Sequence, residues 1–271
     1  MNYKNKNGLS IYYEVINEDS NKDTIVFLNG VMASTSSWAN QYNVLKKLGY
    51  RIVLQDFLGQ LKSDNFNGTY TFLNHVEDVI ELLDYLKIQK AHFIGTSYGG
   101  EVAMKLAANF PNYCKSISVI DSVSELDQPL IDSVSEWKDL AKTLNGEHFF
   151  NGMMPTIYGE TFIKENKDFL EQRAKAMNSI PDSYFYGQIA LYETFINDCY
   201  MTEELKNIQC PSMIICGEKD TLKPMRFSKL IADNIKESEY ATIPDSGHVT
   251  IFEKPNELNS VLIGFLTKLS V

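Results

Sequence analysis

The chain has 271 residues, of which 44% are hydrophobic and 22% are charged, an ordinary globular composition that excludes fibrous and disordered classes. Its formal net charge of −10 repels phosphate groups, so we expect neither nucleic acid nor a membrane surface as a partner. The polar N-terminus lacks the apolar stretch of a secretory signal and no later segment is long and apolar enough to span a bilayer, which predicts a cytoplasmic protein.

The first elements in the chain are predicted to form a β-hairpin. Residues 2–6 and 9–15 alternate apolar and polar side chains, and Asn7 and Gly8 between them favour a two-residue turn. Six apolar runs rich in β-branched residues follow, at 24–28, 51–55, 91–95, 116–120, 212–216 and 239–243. Segments of helical periodicity alternate with them, at 38–48, 71–86, 97–110, 225–235 and 256–269. This order predicts an α/β fold with a mostly parallel eight-stranded sheet, helices on both faces and an active site at the carboxyl ends of the strands.

One long segment interrupts the alternation. Between residues 124 and 205 no strand pattern occurs, and apolar residues recur at helical spacing through 130–144, 162–177 and 184–195. We therefore predict a core formed by residues 1–123 and 206–271 and a helical cap formed by residues 124–205. The cap is rich in aromatic and sulfur-containing side chains, suited either to the roof of an apolar pocket or to packing of the cap on the sheet. They are Trp137, Phe149, Phe150, Met153, Met154, Tyr158, Tyr184, Phe185, Tyr186, Tyr192 and Phe195.

Ser97 is the candidate nucleophile. It lies in the sequence Gly95-Thr96-Ser97-Tyr98-Gly99, a GxSxG motif at the point where a predicted strand ends and a predicted helix begins. So abrupt a turn strains the serine, and a side chain at either glycine would collide with the neighbouring backbone. The alternative is a plain glycine-rich turn in which Ser97 only caps the helix.

A serine hydroxyl needs a base to accept its proton, and histidine is the natural candidate. His248 follows the last predicted strand and so lies in a carboxyl-end loop of the sheet. His75 falls in a predicted helix, His92 at the start of a strand and His148 in the cap, where packing or surface roles are expected. We therefore interpret His248 as the base.

The base in turn needs a carboxylate that orients it, and Asp220 fits in position and chain order because it follows the strand predicted at 212–216. Its alternative role is a turn aspartate that caps the next helix. Asp121, just beyond an earlier strand, is the second candidate, and Asp245 is expected to serve a turn. The oxyanion formed during attack needs two backbone N–H groups, which we assign to Tyr98 and Val31, with Met32 as the alternative to Val31.

Taken together, the order Ser97, Asp220, His248, the opening hairpin and the helical insertion resemble the α/β-hydrolase superfamily over essentially the whole chain. Relatives that act through a carboxylate are not expected, because position 97 is serine. Two positions depart from the family pattern: Asn29 replaces the usual histidine before the oxyanion-loop glycine, and Leu61 replaces a glycine in the stretch that retains Asp56, Gly59 and Ser63. The loop residues Asn29, Gly30, Met32, Ala33, Thr35 and Ser37 are also similar to those of bacterial transferases that join two 3-hydroxyacyl groups on the way to rhamnolipids.

The resemblance implies a serine hydrolase that cleaves an ester-type bond, in a carboxylic ester, thioester or lactone, through an acyl-enzyme. The aromatic and sulfur-containing side chains of the cap favour a small and largely apolar acyl substrate. The alternatives are an acyltransferase acting on hydroxyacyl substrates and a non-catalytic ligand receptor. The pocket is expected to include Asn29, Met32, Trp137, Phe150, Met154, Tyr186 and Val249. We expect no cofactor and no metal, since the cysteines at 114, 199, 210 and 216 lack zinc-site or disulfide spacing, and we expect a monomer or homodimer.

Overall fold

An eight-stranded sheet runs through the centre of the structure, a computed structural model that describes residues 1–269. The strands are β1 (Asn2–Lys4), β2 (Ser10–Ile16), β3 (Thr24–Leu28), β4 (Arg51–Gln55), β5 (Ala91–Thr96), β6 (Cys114–Ile120), β7 (Ser212–Gly217) and β8 (Ser238–Ile243). Their order across the sheet is β1-β2-β4-β3-β5-β6-β7-β8. The pairs β1–β2 and β2–β4 are antiparallel and all others are parallel, which confirms the predicted mostly parallel eight-stranded sheet.

Helices cover both faces of this sheet. Six belong to the α/β alternation: α1 (Ala39–Lys47), α2 (Phe72–Tyr85), α3 (Tyr98–Asn109), α9 (Met225–Asn234), α10 (Thr250–Glu253) and α11 (Pro255–Lys268). Consecutive side chains of one strand point to opposite faces, so Val26 packs into one buried apolar cluster and Phe27 into the other. Because both faces are covered, β3, β5 and β7 are buried along their whole length, which explains why apolar residues do not alternate with exposed polar ones along these strands.

Five further helices lie between β6 and β7: α4 (Gln128–Lys142), α5 (Gly146–Ile157), α6 (Glu160–Glu165), α7 (Lys167–Ala176) and α8 (Asp182–Asp198). The sequence pattern did not predict α5, because Gly146, Gly152 and the internal Pro155 reduce the helix propensity of that segment. The helix predicted at 162–177 is divided at Asn166 into α6 and α7. The boundaries 124–205 assigned to a cap stay a prediction.

The opening hairpin forms with a longer connection than the predicted two-residue turn. Asn2 pairs with Tyr12 and Lys4 with Ser10, which leaves residues 5–9 as the connection. The side chain of Asn5 accounts for the difference, since its Oδ1 accepts hydrogen bonds from the backbone N–H groups of Asn7 and Leu9.

The four cysteines are free and buried. Within residues 1–269, no helix combines the length and the apolar character that crossing a membrane would require.

Candidate active site

Ser97 occupies the turn between β5 and α3, and its backbone is strained. Its φ of 51° and ψ of −121° lie in a region that a side-chain-bearing residue rarely adopts. The flanking glycines are required by space: a Cβ on Gly95 would lie 2.2 Å from the carbonyl oxygen of Gly99, and one on Gly99 would lie 2.0 Å from that of Leu28. The turn therefore holds the Ser97 hydroxyl at the carboxyl end of the sheet.

Ser97, His248 and Asp220 form one hydrogen-bonded chain. The Oγ of Ser97 lies 3.0 Å from Nε2 of His248, and Nδ1 of His248 lies 2.8 Å from Oδ2 of Asp220. Because a carboxylate only accepts hydrogen bonds, Nδ1 donates to Asp220 and Nε2 is left to accept the serine proton. The other carboxylate oxygen, Oδ1, accepts from the backbone N–H groups of Leu222 and Lys223 at 3.0 and 2.8 Å, which fixes the orientation of Asp220.

The environment of His248 favours its protonated form. Burial by itself lowers the pKa of the imidazole, but the charge of Asp220 and its hydrogen bond outweigh that effect and raise the pKa of His248 above its ordinary value of 6.5. A base with a raised pKa accepts the serine proton more readily, provided that the pH keeps it neutral beforehand.

Asp121, the second candidate acid, lies beside Asp220 and does not contact the imidazole. Its Oδ1 accepts a hydrogen bond of 2.7 Å from the backbone N–H of Gly217, and its Oδ2 is buried without a partner among the described residues. Burial and the neighbouring charge of Asp220 raise the pKa of Asp121 to about 7. Oxygen and sulfur atoms of Asp121, Cys216 and Asp220 lie within 4.8 Å of one another, but Asp220 already accepts three hydrogen bonds there.

The remaining candidates have structural surroundings. Burial among aromatic rings lowers the pKa of His75 to about 3, and its ring nitrogens have no hydrogen-bond partner within residues 1–269. His92 contacts Ser116, and His148 is exposed. Asp245 has a φ of 52° in a turn and accepts a hydrogen bond from Thr161.

The two residues assigned to the oxyanion hole, Val31 and Tyr98, lie beside Ser97. Val31 and Tyr98 both line the space next to the serine. Neither N–H has a hydrogen-bond partner in the described part of the chain, so both are free to donate to a substrate oxygen. Gly30 brings the Val31 loop close, since a Cβ on Gly30 would lie 3.5 Å from the Cβ of Ser97.

The loop that carries Val31 is held by Asn29 and Gln60. Nδ2 of Asn29 donates to the side-chain oxygen of Gln60 at 3.0 Å, and Nε2 of Gln60 donates to the carbonyl oxygens of Gly30 and Val31 at 2.8 and 3.1 Å. Asn29 thus stabilises this loop through Gln60. It was predicted to line the pocket, but its side chain is buried and lies outside the cavity. Leu61 is exposed, so the replacement of glycine at that position creates no clash.

The cavity at Ser97 is apolar and only partly matches the predicted pocket. Of the residues predicted to form the pocket, Met32, Trp137, Phe150 and Val249 lie along this cavity. The structure places two predicted members elsewhere: Met154 packs half-buried against the core, and Tyr186 is 55% exposed at a separate surface groove. The further lining residues are Gly30, Val31, Ala33, Ser37, Thr96, Met153, Ile157, Tyr158, Arg173, Ile251 and Phe252, together with Ser97 and His248.

Sequence reasoning missed Arg173 and Phe252 as pocket residues. Arg173 lies on α7, and the helical periodicity predicted at 162–177 did not show which residues of that helix lie along the cavity. Phe252 lies on the short helix α10, which no periodicity could reveal in four residues.

A buried ion pair lies next to this site. Nζ of Lys223 is 2.9 Å from Oε1 of Glu101, and the two side chains are 3% and 0% exposed. Glu101 belongs to α3, the helix that follows Ser97, and Lys223 belongs to the loop of Asp220. The pair therefore joins the serine's helix to the loop that holds the carboxylate.

Comparison with known proteins shows similarity along nearly the whole chain. A sequence model of the family described as alpha/beta hydrolase fold matches residues 23–255. The 3-oxoadipate enol-lactonase 1 of Acinetobacter baylyi is 26% identical over 97% of this chain and 95% of its own length.

Two solved structures extend the comparison. The alpha/beta hydrolase MGS-M2 from a Medee basin deep-sea metagenome is 29% identical, with a TM-score of 0.92 over 98% of this chain and 97% of its own. Est816, an N-acyl homoserine lactone degrading enzyme, is 26% identical, with a TM-score of 0.82 over 98% of this chain and 100% of its own.

Proposed function

The chain belongs to the alpha/beta hydrolase fold family. We propose that it is a serine hydrolase that cleaves ester-type bonds of small, largely apolar acyl substrates through an acyl-enzyme. The observation that carries the proposal is the chain of two hydrogen bonds, 3.0 Å from Ser97 to His248 and 2.8 Å from His248 to Asp220. Similarity to an enol-lactonase and to a lactone-degrading enzyme supports the choice of ester-type bonds.

In the first half-reaction, the Ser97 oxygen forms a bond to the carbonyl carbon while Nε2 of His248 takes the serine proton. The imidazolium then gives that proton to the departing alcohol or thiol as its bond to the carbonyl carbon breaks. In a lactone the departing oxygen stays attached to the acyl chain. The carboxylate of Asp220 stabilises the imidazolium throughout.

The tetrahedral intermediate carries a negative oxygen, which the free N–H groups of Val31 and Tyr98 stabilise. Because main-chain groups supply this stabilisation, it depends on the conformation of the loop held by Gln60. In the second half-reaction water attacks the acyl carbon while His248 takes one of its protons. The bond between that carbon and the Ser97 oxygen then breaks, His248 gives the proton back to that oxygen, and the acid product leaves.

The apolar walls of the cavity, which include Met32, Trp137 and Phe150, favour an aliphatic or aromatic acyl group. Burying such a group contributes roughly 25 cal/mol for each Å² of apolar surface removed from water. Substrate selection is therefore expected to follow the apolar surface of the acyl chain.

The test compares wild type with Ser97→Ala on a panel of p-nitrophenyl esters, thioesters and lactones, with Ser260→Ala as the control because Ser260 is an exposed serine of α11. Ser97→Ala is expected to lower kcat by several orders of magnitude, and Ser260→Ala to leave it unchanged. Near-normal ester hydrolysis by Ser97→Ala would refute the proposal.

Two further measurements separate the alternatives. A folded wild-type protein whose Ser97 fails to react with a fluorophosphonate would favour a non-catalytic receptor. Products that carry the acyl group on an added hydroxyacyl acceptor, in preference to water, would favour an acyltransferase.

A further inference from the structure

Arg173 is a cation in the cavity of Ser97, and the mechanism above gives it no role. Among the described residues that line this cavity it is the only arginine or lysine, and none of them is acidic. A charged guanidinium in an apolar cavity is unfavourable unless it is paired, so its position calls for an explanation.

No protein group pairs with this guanidinium within residues 1–269. Arg173 is half-buried, its Nε is fully buried without a hydrogen-bond partner, and its side chain forms no ion pair. Aromatic rings surround it: its Cζ lies 5.9 Å from the ring centre of Phe150, 5.7 Å from that of Phe169 and 5.6 Å from that of Phe252. The rings stabilise the positive charge, but they offer no oxygen or nitrogen atom to accept a hydrogen bond from the five N–H donors of the guanidinium.

Glu253 follows Phe252 in the chain, and its carboxylate binds backbone groups and forms no ion pair with Arg173. Its oxygens accept hydrogen bonds from the backbone N–H groups of Gly159, Gly247 and Val249. The donors of Arg173 are therefore left for a group that enters the cavity.

We propose that Arg173 binds a carboxylate at the far end of the substrate's acyl chain, so that the substrate is an anionic ester or lactone; this rests on the serine-hydrolase function proposed above. The planar guanidinium matches a carboxylate through two parallel hydrogen bonds, a geometry that a neutral acyl chain cannot use. In the acyl-enzyme the chain starts at Ser97 and runs along the apolar walls of the same cavity to Arg173. The walls select the chain's length, and the guanidinium selects its charge.

The kinetic test uses mono-p-nitrophenyl esters of succinate, glutarate and adipate, with neutral p-nitrophenyl esters of matched length as the reference. Wild type is expected to prefer the best anionic ester over its neutral counterpart by about tenfold or more in kcat/KM. Arg173→Gln is expected to lose about 10- to 100-fold with anionic esters and less than about threefold with neutral ones. Arg173→Lys, which keeps the charge without the fork of donors, is expected to retain part of the preference.

The control is Lys175→Gln, which removes the same charge from an exposed position on α7. It is expected to leave the ratio of anionic to neutral activity unchanged. If Arg173 only held the helix in place, Arg173→Gln would lower both activities equally, and the proposal would be wrong.

A binding measurement separates this proposal from the hydrolase function. Calorimetry with Ser97→Ala is expected to detect glutarate or adipate binding more tightly than butyrate or hexanoate, and that difference is expected to vanish in Ser97→Ala/Arg173→Gln. Normal hydrolysis of neutral esters without any preference for anionic ligands would overturn the role of Arg173 and leave the hydrolase function standing. Tight dicarboxylate binding by a protein that hydrolyses no ester would overturn the hydrolase function and leave the carboxylate-binding role of Arg173 standing.

Discussion

Removing the buried cation Lys223 is expected to be among the most destabilising single changes near the site. Its partner Glu101 is fully buried, with one oxygen bonded to Lys223 and to the backbone N–H of Val123 and the other without a partner among residues 1–269. In Lys223→Met the carboxylate loses its counter-charge while the volume of the side chain is nearly kept. The protein must then bury an unpaired charge or protonate it.

The cost of burying the unpaired Glu101 charge, or of protonating it, sets the loss of stability. Breaking a buried pair by removing one partner costs about 3 to 5 kcal/mol. For a domain of this size that loss lowers Tm by roughly 6 to 20 °C. The surface pair of Lys206 and Glu203, with side chains 68% and 91% exposed, provides the control: Lys206→Met is expected to leave the stability essentially unchanged, because water screens this pair.

The loss is also expected to depend on pH. Burial raises the pKa of Glu101 above its ordinary value of 4.5, and the charge of Lys223 opposes that rise. Without Lys223 the folded protein keeps Glu101 protonated to higher pH, whereas the unfolded chain loses that proton near 4.5. A group whose folded pKa is raised stabilises the fold below its unfolded pKa, and that contribution disappears as pH rises through the folded pKa. The destabilisation of Lys223→Met relative to wild type should therefore grow with pH, by up to about 1.4 kcal/mol per unit, between the Glu101 pKa of wild type and the higher Glu101 pKa of the variant, and stay constant above that range.

The assay is urea unfolding of wild type, Lys223→Met, Glu101→Gln and the double variant at pH 5, 7 and 9. Glu101→Gln keeps an acceptor for the Val123 N–H but removes the charge, so the double variant is expected to recover most of the stability lost in Lys223→Met. A loss below about 1 kcal/mol at pH 9, or a double variant no more stable than Lys223→Met, would refute this account of the pair.

Four further outcomes are expected. Asp220→Asn should lower kcat for p-nitrophenyl esters by about 10³- to 10⁴-fold, because the amide no longer stabilises the imidazolium, and retention within tenfold would contradict its role. The kcat/KM of wild type should fall as pH drops through the raised pKa of His248, since the protonated ring cannot accept the serine proton; an acidic limb centred below 6.5, the ordinary value of the imidazole, would contradict this. Asp121→Asn should be more stable than wild type by a few kcal/mol at pH 9 and equal to it below pH 4. The reason is that the pKa of the Asp121 carboxyl is raised from 3.8 to about 7, so that its contribution to stability is present below pH 3.8 and is lost as pH rises through 7. Gly99→Ala should give little folded protein, since its Cβ would lie 2.0 Å from the carbonyl oxygen of Leu28, and a soluble variant with wild-type Tm would refute that constraint.

The sheet and the serine turn were predictable because their signals are local. Apolar periodicity gives every strand and the core helices except the short α10, and the two glycines around Ser97 mark the turn within a five-residue motif, although the Gly99 clash itself involves the distant Leu28. The opening hairpin shows the limit of such reasoning. Its connection is stabilised by hydrogen bonds that the Asn5 side chain accepts, and the Asn7-Gly8 dipeptide alone does not predict them. The helix α5 shows another limit, since packing overrides the low propensity of its glycines and proline.

Sequence alone predicted the α/β fold and pointed to positions 97, 220 and 248 as one site, because chain order and strand ends place such residues at one edge of a parallel sheet. Which other side chains surround Ser97 became visible only in the folded chain. Lys223 meets Glu101 across 122 residues, and His248 meets Ser97 across 151. Arg173 lies along the cavity, whereas Met154 and Tyr186 do not. The elements against which a helix packs fix its rotation about its axis, and a short stretch of sequence does not show which distant elements these are.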